Sequence, residues 1–212
     1  MENKIYVQYG CGHSAPKEWK NLDVSPTLRI QKTPIVGSLL KSKLNTVFPD
    51  NVLYGDIIKG LPIRDNSVDG TYCSHTLEHL SLEDFRTALK NTYKIMKSGA
   101  IFRCVVPDLE WAARTYIDEL SNGDKSASIG FINNTLLGIK QRPRGIKGFV
   151  SSFFGNSHHL WMWDHKSLSL ELENAGFREV RECKFNDSED MMFKHVESEG
   201  RFINAVSIEC KK

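Results

Sequence analysis

The feature that most constrains the fold is a glycine turn set between two short strand-like runs. Residues 5–9 form a run that stops at the Gly-Cys-Gly sequence of residues 10–12, and the next run, residues 21–24, carries Asp23. Glycine lets the backbone approach a ligand closely, and a carboxylate at the tip of the next strand can accept hydrogen bonds from two ribose hydroxyls. The pattern predicts a nucleoside-binding turn, with a purely structural tight turn as the alternative.

The remainder of the chain alternates strand-like and helical patterns, which predicts an α/β fold. Five further runs are typical of strands: residues 52–54, 68–73, 100–106, 178–185 and 202–210. Three helices are predicted from a capping residue at one end and a glycine at the other. They begin at Ser81, at Asp108 and near Asp164, and they end at Gly99, Gly123 and Gly176.

Composition favours one globular domain and excludes several other classes of protein. Of the 212 residues, 40% are hydrophobic and 25% charged, so a core can form without disulfide bonds. The net charge of +2 does not predict nucleic-acid binding. No run is apolar and long enough to span a membrane and the first residues lack a signal-peptide core, so a cytoplasmic protein is expected. The five cysteines form no C-x-x-C pair, which favours buried free thiols in a reducing compartment.

Several short motifs follow the glycine turn in a characteristic order. They are Trp-Lys-Asn-Leu-Asp at residues 19–23, Gly-Asp at 55–56, Leu-Pro-Ile-Arg-Asp-Asn-Ser-Val-Asp at 61–69 and His-Thr-Leu-Glu-His at 75–79. In this order they resemble class I S-adenosylmethionine-dependent methyltransferases, most of all the small type-11 group. The resemblance implies one methyltransferase domain over residues 1–212. It also implies a Rossmann-like, mostly parallel seven-stranded sheet with helices on both faces and an antiparallel last strand.

The resemblance further implies S-adenosyl-L-methionine as cofactor and a set of residues that would contact it. Gly10 and Gly12 would line the methionine part, Asp23 would hold the ribose hydroxyls, Asp56 would lie near the adenine, and His75 would border the sulfonium. The complete set is Tyr9, Gly10, Cys11, Gly12, Asp23, Asp56, Ile57, Ser74 and His75. One departure concerns the first crossover, where ten residues that include Pro16 separate Gly12 from Asp23. This distance leaves room for about one helical turn, so no full helix is expected there.

Methyl transfer from a sulfonium needs alignment of the reacting groups and, for an oxygen or nitrogen acceptor, a group that removes a proton. Histidine is the most common general base in enzymes. The candidates here are His79, His158 and His159, with His75 as a fourth. For His79, packing at the start of a helix is the alternative role.

Three alternative readings remain. The sequence His-Thr-Leu-Glu-His at residues 75–79 matches the H-x-x-E-H motif of inverted zinc proteases. Its predicted position in a strand-to-helix loop disfavours zinc, so no metal is expected. Gly10, Gly12 and Ala15 also fit a dinucleotide fingerprint, but the acid should then follow about 20 residues later, whereas Asp23 comes sooner. The function that this fingerprint would imply is a nicotinamide-dependent oxidoreductase. The third alternative is a non-catalytic cofactor-binding or partner subunit.

Residues 109–163 are predicted to form an acceptor-binding insertion or lid. They contain an excess of aromatic side chains: Phe149, Phe153, Phe154, Trp161 and Trp163. They also contain a basic cluster: Lys140, Arg142, Arg144 and Lys147. An aromatic face suits a sugar or a planar group, and the basic cluster suits a phosphate or carboxylate. A small-molecule acceptor is therefore expected, preferably a saccharide or nucleotide-sugar of the kind that small methyltransferases of this type modify in cell-surface glycan assembly. A local core, a solvated surface and an aromatic or lipid-like acceptor are the alternatives.

Overall fold

The computed structural model describes residues 4–34, 46–140 and 158–212. The strands are β1 (Tyr6–Tyr9), β2 (Lys20–Asp23), β3 (Val52–Tyr54), β4 (Val68–Ser74), β5 (Met96–Pro107), β6 (Arg178–Glu182) and β7 (Ala205–Lys211). The α-helices are α1 (Pro26–Gln31), α2 (Leu82–Ile95), α3 (Leu109–Ser121), α4 (Ala127–Thr135) and α5 (His165–Asn174). Three 3₁₀ turns cover Leu77–His79, Met191–His195 and Glu199–Phe202.

Seven strands form one sheet in the order β3-β2-β1-β4-β5-β7-β6. The pairs from β3 to β5 are all parallel, and β7 runs antiparallel to both β5 and β6. This arrangement confirms the predicted Rossmann-like sheet with its antiparallel last strand. The strand order reverses between β1 and β4, and in open α/β sheets ligands bind at the carboxyl ends of the strands beside such a reversal.

The two faces of the sheet are covered by different elements. On one face, Val7 and Tyr9 pack with Phe85 and Leu89 of α2 and with Leu168 of α5 in the largest buried cluster. On the other face, Tyr6, Trp19 and Tyr72 pack with Phe193 of the 3₁₀ turn Met191–His195 and with Val196, which follows it. The C-terminal segment before β7 therefore covers the face that α2 and α5 leave free.

The predicted helix starts are confirmed, whereas one predicted end is wrong. The Ser81 side chain accepts a hydrogen bond from the Asp84 N–H at the start of α2, and Asp108 and Asp164 cap α3 and α5. Helix α2 ends at Ile95, not at Gly99, because the chain passes directly into β5 at Met96. Met96 pairs with Val68 before the register between the two strands shifts. Gly99, with φ +77°, takes a left-handed conformation within this irregular start of β5.

Helix α4 lies in a stretch whose sequence showed no helical period. Its Ile129 and Ile132 are exposed, and the buried residues are the small Ala127 and Thr135. Without an apolar stripe facing the core, hydrophobic periodicity cannot indicate such a helix.

The short first crossover contains no helix, as predicted from its length. Side-chain amides satisfy the backbone in its place. The Gln8 Nε2 donates to the Ser14 carbonyl at 2.7 Å, and the Asn21 Nδ2 donates to the Pro16 carbonyl at 2.9 Å. Both side chains are buried, so the chain runs from β1 to β2 as a fixed loop.

All five cysteines are free and buried, in agreement with the sequence-based expectation. Across the described residues, no helix combines the length and apolar character that crossing a membrane requires.

Candidate active site

The sheet register brings most of the predicted cofactor residues to one edge. Tyr9 lies beside Leu22, and Asp23 lies beside Tyr54. Because β1, β2, β3 and β4 are parallel, the residues that follow each of them meet at their carboxyl ends. The glycine turn, Asp23, Asp56 and Ser74 thus line the edge where the strand order reverses.

The glycine turn is tightly packed at its first residue. Gly10 has φ +64°, and a Cβ built there would lie 2.0 Å from Thr76 Oγ1. The position therefore requires glycine, and the turn packs directly against the loop that follows β4. The Tyr9 and Cys11 side chains point into the protein: Tyr9 is 2% exposed, and burial raises the pKa of the Cys11 thiol to about 12. Both residues line a cavity beside the turn, although their side chains are largely buried.

Asp23 organises this turn through both carboxylate oxygens. The Gly12 N–H donates to Oδ2 at 2.9 Å, and the Ser25 N–H donates to Oδ1 at 2.8 Å. An ionised carboxylate has about four acceptor positions, so two remain for the hydroxyls of a ribose. The two free acceptor positions of Asp23 therefore fit the ribose of S-adenosylmethionine.

Asp56 and Ile57 follow β3 on the other side of Asp23. The Asp56 Oδ1 accepts the Ile58 N–H at 3.0 Å, and the Lys59 Nζ lies 3.5 Å from Oδ2. Ile57 is 7% exposed and belongs to the main core. Asp56 thus presents the polar group at this end of the edge, while Ile57 packs beneath it.

A small cavity of about 60 Å³ opens beside the turn, between the ends of β1 and β4. Ser74, Tyr72 and Gly10 line one side, and Val196 and Arg201 close the other. The Ser74 Oγ is buried and has no hydrogen-bond partner among the residues that the structure describes. A buried unpaired hydroxyl at this position suits a polar ligand such as the amino acid part of the cofactor. The sequence did not predict the role of the 196–201 segment in closing this cavity.

Next to the turn, one buried carboxylate is surrounded by histidines. Glu78 is 1% exposed, and its Oε1 lies 3.6 Å from His75 Nδ1, 3.9 Å from His79 Nε2 and 4.0 Å from His159 Nε2. Burial raises the pKa of Glu78 to about 8. Burial and then the neighbouring His79 lower the pKa of His159 to about 4, so this imidazole is neutral at neutral pH.

Backbone hydrogen bonds bring the distant His159 to this cluster. The Leu160 and Trp161 N–H groups donate to the Glu78 carbonyl at 2.8 and 3.2 Å, and the His159 N–H donates to the Leu136 carbonyl at 3.2 Å. The structure therefore places His79 and His159 together, with their ring centroids 5.0 Å apart.

His158 takes part through its backbone. Its carbonyl lies 3.0 Å from His79 Nδ1, and because a carbonyl only accepts, that nitrogen carries the hydrogen. Its imidazole makes no ion pair with Glu78, in contrast to those of His79 and His159, which lie within 4.0 Å of that carboxylate. The catalytic assignment of the His158 side chain thus has less geometric support than that of its neighbours.

The H-x-x-E-H and dinucleotide alternatives lack the local structure that they require. A zinc-protease motif needs both histidines on one helix, but His75 has φ +50° and precedes the three-residue 3₁₀ turn Leu77–His79. The dinucleotide fingerprint opens a helix after its glycines, and residues 13–16 form no helix.

The predicted acceptor residues are only partly described. Trp163 is 2% exposed and its ring lies 4.2 Å from that of Phe85, so this tryptophan is part of the core. Trp161 is 41% exposed, and Lys140 is exposed as well. The other aromatic and basic residues of the prediction lie outside the described residues: Arg142, Arg144, Lys147, Phe149, Phe153 and Phe154.

The sequence does not predict two residues of this site, Glu78 and Arg201. For Glu78, the sequence indication of burial is its position next to Leu77 and two residues before Leu80. Arg201 had none, because the segment that carries it is joined to the edge through a contact distant in sequence. The His75 Nε2 lies 2.9 Å from the Arg201 carbonyl, 126 residues away.

Comparison with known proteins agrees with this geometry. The family model described as a methyltransferase domain matches residues 7–104. A chain from the complex of the Haloferax volcanii Trm112 methyltransferase activator with a methyltransferase is 17% identical, with a TM-score of 0.50, and the match covers 99% of this chain and 83% of that one. A SAM-dependent methyltransferase from Thermotoga maritima is 19% identical, with a TM-score of 0.50 and coverage of 98% and 82%. At these identities the structural matches show the fold. No curated protein matches the chain by sequence.

Proposed function

We propose that this chain, which carries the methyltransferase domain of the type-11 family over residues 7–104, methylates an oxygen or nitrogen of a small-molecule acceptor. The family match identifies it as an S-adenosylmethionine-dependent methyltransferase; the acceptor and the groups that act on it are our proposal. In this proposal the cofactor lies across the glycine turn and Asp23. Its methyl group points to the loop that follows β4.

One observation carries the proposal. The loop of residues 74–79 packs against Gly10 through Thr76 and also carries Glu78 and His79. A group that can accept a proton therefore lies beside the turn that would hold the cofactor. Such proximity is what in-line methyl transfer to a hydroxyl or amine requires.

The cofactor supplies an activated methyl group when bound, and the chain's own residues hold and deprotonate the acceptor. His79 keeps its hydrogen on Nδ1 through the His158 carbonyl, which leaves the Nε2 lone pair free to accept a proton. His159 lies in the same cluster; burial lowers its pKa to about 4, so its imidazole is neutral at neutral pH but accepts a proton less readily than an ordinary imidazole. We assign the proton-accepting role to this pair, with His158 as the remaining candidate.

The preferred acceptor class is a saccharide or nucleotide-sugar. An exposed tryptophan, Trp161, lies two residues from His159, and tryptophan rings provide flat apolar surfaces on which sugars pack. Residues 109–163 supply both Trp161 and the exposed Lys140, in keeping with their proposed role in acceptor binding. Five free buried thiols are consistent with a cytoplasmic site of action.

Incubating the purified protein with methyl-labelled S-adenosylmethionine tests the function. We expect label to appear on at least one member of a panel of saccharides and nucleotide-sugars. Label on an aromatic or lipid-like acceptor instead would contradict the assignment to saccharides and nucleotide-sugars. Cofactor binding without any methyl transfer would favour a non-catalytic subunit.

Replacing His159 by asparagine should slow methyl transfer by about 10²-fold or more, because positioned acid–base groups contribute this much. Affinity for S-adenosylhomocysteine, measured by calorimetry, should stay the same. His195→Asn is the matched control, since His195 is half-exposed and lies outside the cluster. Equal turnover in the two variants would contradict the assignment of His159.

A further inference from the structure

The Glu78 side chain is buried without the partners that a buried carboxylate requires. It is 1% exposed, and neither oxygen has a hydrogen-bond partner among the described residues. Burying an ionisable group without a partner is costly, so such groups in proteins are normally paired, protonated or bound to a metal. The groups nearest to Glu78 therefore indicate whether it is paired, protonated or bound to a metal.

Two of these groups present lone pairs to Glu78. The His79 Nδ1 lies 3.0 Å from the His158 carbonyl and carries the hydrogen, so Nε2, 3.9 Å from Glu78 Oε1, has a lone pair. The His75 Nε2 likewise lies 2.9 Å from the Arg201 carbonyl, which leaves a lone pair on Nδ1, 3.6 Å from the same oxygen. With both rings neutral, neither supplies a hydrogen to Glu78, so a proton on Glu78 itself or a bound cation must join these acceptor atoms.

A third imidazole completes a compact set of ligand atoms. His159 is 8% exposed, and its Nε2 lies 4.0 Å from Glu78 Oε1. One ligand atom from each of Glu78, His79 and His159 falls within 4.8 Å of the other two. Tetrahedral zinc, with bonds of about 2.0–2.2 Å, holds its ligand atoms roughly 3.3–3.6 Å apart. The two Glu78–histidine distances, 3.9 and 4.0 Å, exceed this spacing by roughly half an ångström, and the atoms of the set all lie within 4.8 Å of one another. Side-chain shifts of about 0.5–1.5 Å would therefore bring the set to bonding distance.

We propose that Glu78, His79 and His159 bind one divalent transition-metal ion of the zinc type, with its remaining coordination position left to solvent or ligand. Two histidines and one glutamate are a common donor set of zinc sites with an open position. A metal-binding histidine usually donates its other N–H to a carbonyl or carboxylate, as His79 does to His158. The ion would supply the positive charge that the buried carboxylate lacks.

This proposal reverses the sequence-based expectation that no metal binds. The expectation concerned a zinc site with His75 and His79 on one helix, and these two residues do not share a helix in the structure. In the proposed site the second histidine is His159, which follows α4 in the chain. The site does not depend on the identity of the methyl acceptor. A bound ion would occupy the Nε2 lone pairs of His79 and His159, so the proton-accepting role proposed for these two imidazoles belongs to the metal-free protein.

Titration of Zn²⁺ into chelator-treated protein, followed by calorimetry, tests the site. We expect one ion per chain with a dissociation constant below about 1 μM. Glu78→Gln and His159→Asn should each weaken binding by about 100-fold or more, because each removes a direct ligand. His195→Asn should bind zinc as the unchanged protein does, and thermal melting verifies that each variant is folded.

The outcomes are distinct from those that test methyl transfer. Loss of zinc binding in both cluster variants, with affinity for S-adenosylhomocysteine retained, would establish the site whether or not an acceptor is known. No binding at about 100 μM Zn²⁺, or equal binding in the unchanged protein and the two cluster variants, would overturn it. If zinc does not bind, a proton shared between Glu78 and the histidines holds the cluster together.

Discussion

Replacing Asp23 by asparagine should weaken binding of S-adenosylhomocysteine by about 100-fold. The carboxylate has two acceptor positions left after it binds the Gly12 and Ser25 N–H groups. Hydrogen bonds from ribose hydroxyls to a charged acceptor each contribute about 1.5–3 kcal/mol. The amide of asparagine provides one accepting atom instead of two and has no charge, so most of this contribution is lost. Isothermal titration calorimetry measures the change directly.

Asp50→Asn is the matched control. Asp50 is exposed and lies before β3, at the opposite end of the strand from Asp56. This variant should bind S-adenosylhomocysteine with unchanged affinity. Because Asp23 also stabilises the glycine turn, the circular dichroism spectrum and melting temperature of both variants must be compared. A folded Asp23→Asn protein with the affinity of the control would refute the ribose assignment.

Replacing Arg103 by methionine should lower the free energy of unfolding by about 3–5 kcal/mol, the usual effect of removing one partner of a buried ion pair. Arg103 lies on β5 and is fully buried. Its Nη1 donates to Glu209 at 2.6 Å and to Asp187 at 2.9 Å, and its Nε lies 2.6 Å from Glu197. Methionine fills a similar volume but leaves three carboxylates without this cation.

The loss of stability in the Arg103 variant should extend to residues 196–201, the segment that closes the cavity beside the glycine turn. Glu197 lies between Val196 and Ser198, which line that cavity. The Trp19 Nε1 donates to the Met192 carbonyl at 3.0 Å, in the turn that precedes this segment. Urea unfolding followed by circular dichroism measures the loss of stability. Arg114→Met is the control, because Arg114 is exposed and, among the described residues, forms an ion pair with Glu110 on its own helix. An Arg103 variant as stable as this control would contradict the account of the network.

Within this network, Glu209 predicts a loss of stability in acid. Burial pushes the pKa of Glu209 upward, but hydrogen bonds from Arg103 and Arg181 outweigh it and hold this pKa below its ordinary value. A carboxyl whose pKa is depressed in the folded state stabilises the protein above its ordinary pKa, and this stabilisation is lost as the pH falls through the depressed value. In Arg103→Met this part of the acid dependence should be reduced.

Much of the fold could be predicted because local signals and tertiary structure agree. Asp108 and Asp164 begin helices where a capping residue precedes an apolar period, and the glycine turn sits between the two strands that require it. The ends of elements were less predictable. Gly99 is typical of a helix end, yet the pairing of Met96 with Val68 extends β5 to that point, so tertiary contacts override the local signal.

The candidate site was predictable in its cofactor half and only partly in its catalytic half. Gly10 follows β1 and Asp23 is the last residue of β2, so their meeting at one edge follows from the parallel pairing of these strands. The approach of His79 to the His158 carbonyl joins residues 79 positions apart, across a stretch whose helix has no apolar stripe. No periodicity indicates such a contact, so the cluster around Glu78 emerges only from the structure.

The most direct test of the account is a crystal structure of the protein with S-adenosylhomocysteine. Both ribose hydroxyls should lie at about 2.5–3.0 Å from the Asp23 carboxylate, as for hydrogen bonds to a charged oxygen. The sulfur should lie beside the 74–79 loop, with the position of the lost methyl group facing His79 and His159. A cofactor bound away from Asp23, or with its sulfur turned away from this loop, would contradict the account.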